Sequence, residues 1–85
     1  MTLDRFFAES GWTEERLASE AGADQSMINR LRTGARKASL PLALRIEKAT
    51  SGKVRAEEIP MKRASRAALS GLRAAGATMA HGSAA

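Results

Sequence analysis

The sequence predicts an all-α fold, a compact bundle of four to five short helices, and three observations predict it. Apolar residues recur at helical spacing in successive stretches, glycines and cap-forming residues separate those stretches, and no second alternating run offers a strand partner for a hairpin. With 85 residues and no cysteine, the chain has room for one small domain and has neither disulfides nor thiolate metal sites to reinforce it. Self-association is the remaining source of added stability.

Taken in order, Leu3, Phe6 and Phe7 mark the buried side of a first helix that Gly11 stops after Ser10. Thr13 is placed to cap a second helix, with Trp12 before it and Leu17 within it spaced as a hydrophobic staple. Leu17, Ala18 and Ala21 give that helix its apolar face, and Gly22 supplies the left-handed conformation that ends it. Asp24 is placed to cap a third helix whose Ile28 and Leu31 share one side; Met27 is expected to pack or to touch a thymine methyl. After the basic connection from Gly34 to Ala38, Ser39 is placed to cap a fourth helix, with Pro41 in its first turn and Leu40, Ala43, Leu44 and Ile46 as its core side. Val54 and Ile59 are expected to close the core as an extended piece and a helical turn, and Pro60 to end the compact part.

This reading divides the chain into a compact domain over residues 1–60 and a basic, Ala-rich tail over 61–85. Residues 62–75 read as a weak helix with Ala68, Leu69 and Leu72 on one side and Gly71 interrupting it, and the sequence from Gly76 onward reads as disordered. His81 lies there without a second candidate ligand and reads as a tail residue.

The second and third helices meet at one glycine, which is the sequence shape of a helix-turn-helix. On the third, Gln25, Ser26, Asn29, Arg30 and Thr33 fall opposite Ile28 and Leu31. The amides of Gln25 and Asn29 have the donor and acceptor pair that matches adenine, and Arg30 has the fork that matches guanine O6 and N7. Arg32 leans toward the core side, where phosphate or an acid of the first helix is its partner.

The arrangement from Thr13 to Gly34 resembles the phage-repressor (Cro, or XRE) helix-turn-helix family. The stretches Ser39–Thr50 and Ile46–Pro60 are similar to the fourth helix and the end of the domain in the YdaS-type branch of small Cro-like regulators, so the resemblance covers about residues 3 to 60. It implies a cytoplasmic transcriptional regulator that binds double-stranded DNA without a cofactor, as a homodimer and more readily as a repressor. Carried over by position, Gln25, Ser26, Asn29 and Arg30 are the base-contacting residues, and Thr33, Arg36 and Lys37 contact phosphate. A protein partner such as a toxin or RNA polymerase is the alternative that the same fold allows.

Charge tracks the motif. Residues 1–22 hold two arginines against five carboxylates, net −3; residues 23–56 hold eight cations against two carboxylates, net +6; the remainder is +2. The positive field therefore begins at the third helix, where a polyanion would dock. No Gly-rich phosphate loop, and no histidine placed to activate a serine, points to an enzyme, and Glu57-Glu58 reads as a solvated helix start. No apolar run approaches the ~18 to 20 residues of a membrane span.

Overall fold

Helix ends come from local chemistry in the first half of the chain. Thr2 Oγ1 accepts the Arg5 N–H at 3.3 Å to open α1 (Leu3–Ser10), and Gly11, at φ +74°, closes it with an N–H donated to Phe7 O. Thr13 Oγ1 accepts the Arg16 N–H at 3.0 Å to open α2 (Glu14–Ala21), and Gly22 closes it at φ +67°. α3 spans Gln25–Thr33 and α4 spans Leu40–Ala49, with Pro41 in its first turn, as expected. A 3₁₀ turn over Ala56–Glu58 and a long α5 (Arg63–Ala84) complete a compact all-α architecture with no strand among the described residues. The computed structural model describes residues 1–84, with side chains through residue 75, and no helix in it is long and apolar enough to cross a membrane.

Two expected caps are not made. Asp24 and Ser39 hold the extended N-cap backbone, φ −85° and −76°, but neither side chain bonds to its helix. The first-turn N–H groups of α3 and α4 are therefore left to solvent or to a ligand. Trp12 sits at the core edge, but its ring meets Phe6 edge-on at 5.3 Å and carries the Arg16 guanidinium 4.0 Å above it.

The core gathers Leu3, Phe6 and Phe7 of α1, Leu17, Ala18 and Ala21 of α2, Ile28 and Leu31 of α3, and Ala43 and Ile46 of α4. On α4 the sequence reading needs one change: Leu42 is buried, while Leu40 and Leu44 are only half-buried. Arg45 reaches from α4 to donate Nε–H to the Ala21 carbonyl at 2.9 Å, satisfying an end group of α2 and fixing α4 across it. Thr50 is buried and organises the turn after α4. Its Oγ1 lies 3.0 Å from Ile46 O and accepts the Val54 N–H at 3.1 Å. Val54 and Ile59 then close the core at 0% exposure, as the sequence predicts.

Pro60 does not end the packed region. Ala38 donates its N–H to Pro60 O at 2.7 Å and accepts the Lys62 N–H at 3.3 Å, forming an isolated parallel bridge between Ala38 and Met61. Both bridge residues are buried, and so is Leu69 on α5. The apolar face foreseen for this segment narrows to Leu69, since Ala68 is exposed and Leu72 is 46% exposed. Gly71 does not break the helix. Leu69 before it and Arg73 after it are both held, which offsets the ~1 kcal/mol that a helical glycine costs. The expectation of disorder from Gly76 is not met, since the backbone of α5 continues as helix to Ala84; the reading of His81 falls on side chains outside those described.

Glu57 and Glu58 are exposed in the 3₁₀ turn, as a solvated helix start would be, but both carboxylates are also paired. Arg73 donates to both oxygens of Glu57, at 2.9 and 3.0 Å, and also to Glu47; the Met1 ammonium meets Glu58. Glu47 in turn accepts the Ala56 N–H at 3.0 Å. This clamp fastens α5 to α4 and to the 3₁₀ turn. The Arg73 guanidinium is the main cause that holds Glu57 at about 2, and it also lowers Glu47.

Two outcomes are expected. Leu69→Ala should lower unfolding stability by about 2–4 kcal/mol, while Leu72→Ala should change it by about 0.5 kcal/mol or less, as read by urea denaturation. Because Glu57 has a depressed pKa when folded, its contribution is present above its ordinary value of 4.5 and is lost as pH falls from there toward about 2. Glu57 is 41% exposed, so after screening the loss should be about 1 kcal/mol or less. Arg73→Met should flatten that acid slope in urea midpoints measured from pH 6 to 2.

Candidate nucleic-acid interface

α3 divides cleanly between burial and exposure. Ile28 and Leu31 are 0% and 1% exposed, Met27 is half-buried, and Gln25, Ser26, Asn29, Arg30 and Thr33 are exposed. A 100° step per residue places the exposed residues opposite the buried pair, so the structure brings all four expected base-contacting residues onto one open helical surface. Arg36 and Lys37 lie in the exposed loop after Gly34, and the Arg36 N–H donates to Arg30 O at 3.2 Å, which folds the loop back against the end of α3.

The expected residues differ in how free they are. Among the described residues, the side chains of Gln25, Ser26 and Arg30 form no hydrogen bond or ion pair. Asn29 donates Nδ2–H to Glu14 Oε2 at 3.1 Å, across to the first turn of α2. Thr33 spends its one hydroxyl proton on Arg30 O at 3.3 Å, so its oxygen remains only as an acceptor in this rotamer. Asp24 stands exposed at the start of α3 and brings an anion to the amino end of that helix.

Arg32 resolves toward the protein. Its Nε donates to Asp4 Oδ1 at 2.5 Å, its Nη1 lies 3.6 Å from Glu14, and its guanidinium sits over the Phe7 ring at 5.0 Å. The Asp4 hydrogen bond is the largest cause that raises Arg32 above its ordinary value. Arg32 thus joins α3 to α1 and α2, and of its two expected partners it takes the acid of the first helix. Sequence reasoning missed the Glu14–Asn29 bond and the position of Lys62. The Ala38–Met61 bridge brings Lys62 beside Arg36 and Lys37, 25 residues further along the chain. No local spacing signals that contact, because it depends on where the segment after Pro60 docks.

No family model, no curated protein and no solved structure matches this chain. Its functional reading therefore rests on the geometry and chemistry of its own residues.

The α2–α3 turn sets the angle at which this surface is presented. Gly22 lies in the left-handed region at φ +67°, with nothing within 4 Å of where a Cβ would sit. Gly22→Ala should therefore cost about 1–2 kcal/mol through backbone strain alone, and Gly22→Asn should cost less, in paired thermal and urea denaturation.

Proposed function

We propose that this protein is a sequence-specific DNA-binding transcriptional regulator, acting as a repressor, in which α2, the turn at Gly22 and α3 form a helix-turn-helix and α3 enters the major groove. One observation carries the reading. A helix anchored by Ile28 and Leu31 turns Gln25, Ser26 and Arg30 outward with no partner in the described chain, beside the basic loop of Arg36 and Lys37. Side chains that neither pack nor pair inside the protein, and whose groups match base edges and phosphate, are what a reading helix presents.

Chemistry assigns the roles. Gln25 offers an amide at the start of α3, and Arg30 offers two parallel donors one turn later, suited to guanine O6 and N7. Glu14 accepts one of the two Asn29 N–H groups, which leaves the other N–H and Oδ1 for a bidentate pair with adenine. Arg36 and Lys37 supply phosphate contacts, and Thr33 joins them as a donor when its hydroxyl turns from Arg30 O. Binding as a homodimer on two half-sites about one helical turn apart would double the contact surface, and Leu72 is the large apolar side chain left exposed for such an assembly among the described residues.

A randomised duplex library tests the proposal by selecting a preferred site. Arg30→Ala should then weaken binding to that site by about 1–3 kcal/mol and relax preference at one base pair, with little change on scrambled duplex. Equal losses on both duplexes would assign Arg30 to phosphate. Failure to select any preferred site would overturn the sequence-specific reading.

A further inference from the structure

We infer that the cleft between the α3–α4 loop and the start of α5 is a phosphate site for the DNA backbone, with Lys62 as its third cation. The cleft measures about 310 Å³, and Arg36, Lys37, Ser39 and Lys62 line it above an apolar floor of Met27 and Leu42. No carboxylate is among the lining residues.

The gathering of unpaired cations sets this place apart. Arg5, Arg32, Arg55 and Arg73 each meet a carboxylate, Arg45 and Arg66 each donate to a carbonyl, and Arg16 covers Trp12. Among the described residues the side chains of Arg30, Arg36, Lys37, Lys48, Lys53, Lys62 and Arg63 form no hydrogen bond or ion pair, and of these seven the fold sets Arg36, Lys37 and Lys62 around one cleft. Three like charges brought together repel, and an anion in the cleft removes that penalty.

Lys62 does not reach the cleft by chance rotation of a tail. Its own N–H donates to Ala38 O at 3.3 Å, and the Ala38–Met61 bridge on buried residues fixes its backbone one step beyond the loop. Arg63, the next cation, is not among the cleft residues. Met27 places the cleft against α3 itself, so a DNA strand flanking the groove that α3 reads would pass its phosphates over the opening. The assignment rests on the reading of α3 as the groove-reading helix, and it adds to that reading a contact from the far end of the chain.

The test compares wild type, Lys62→Gln, Lys62→Arg and Arg63→Gln in titrations on the selected and scrambled duplexes over a fourfold range of salt. Lys62→Gln should make the slope of log K against log salt shallower by about 0.9, so that its affinity varies about threefold less across that range. It should weaken both duplexes alike without changing base preference. Lys62→Arg should keep the wild-type slope, as should Arg63→Gln. A Lys62→Gln slope equal to that of wild type, with wild type still selecting its site, would overturn the phosphate site and leave the groove-reading proposal standing. Wild-type binding that shows no preference between the duplexes would overturn the groove-reading proposal, and the cleft assignment with it.

Discussion

A nine-residue helix does not hold itself together in water, because the cost of its first turn is not recovered over so few hydrogen bonds. α3 therefore exists in this protein because Ile28 and Leu31 are removed from solvent against the helices around them. That burial also fixes rotation about the helix axis. Once those two side chains face inward, Gln25, Ser26, Asn29 and Arg30 have only the outward direction left. Stability and presentation of the polar surface are thus one constraint, and the other elements serve it. α2 supplies Leu17, Ala18 and Ala21, α4 supplies Ala43 and Ile46 and is held across α2 by Arg45, and the segment from Val54 to Met61 closes the remaining side.

Charge is divided according to the same geometry. Acids of α1 and α2 take up cations that would otherwise compete for a ligand: Asp4 and Glu14 hold Arg32, and Glu9 holds Arg5. At the far end Glu47 and Glu57 hold Arg73. The Arg32 and Arg73 pairs fasten helices to one another, and none of these carboxylates takes up Arg30, Arg36, Lys37 or Lys62, which stay open on α3, in its loop and before α5. A net charge of +5 understates that separation, since the acidic first 22 residues offset a much more basic remainder. Exposed pairs contribute little each, but the Arg73 cluster links three elements, so its members act as a network.

The features legible in the sequence were those that depend on neighbours in the chain. Gly11, Thr13 and Gly22 end or cap helices by backbone conformation and by bonds three residues away, and each does so in the structure as its residue type implies. The periodicity of Ile28 and Leu31 likewise sufficed to place the exposed face of α3. The features that local patterns hid depend on contacts at long range. Pro60 looks like an end because local rules cannot show that Met61 pairs with Ala38 or that Leu69 fills the core. Glu57 and Glu58 look unpaired until Arg73, 16 residues beyond Glu57, and the amino terminus reach them. Asp24 and Ser39 have the residue type and the backbone of caps, but a side chain is free to turn away where solvent can satisfy the helix start.

The Ala38–Met61 bridge joins these two scales. It closes the core by burying both of its residues, and it carries Lys62 to the loop after α3. Under the assignment of that cleft to phosphate, a ligand there binds only molecules in which the bridge is formed, so binding adds its free energy to the docking of α5. The coupling is reciprocal: whatever opens the Ala38–Met61 bridge moves Lys62 away from the loop and weakens the contact. A segment that composition presents as an appendage is, on this account, the element through which core stability and affinity for the backbone are linked.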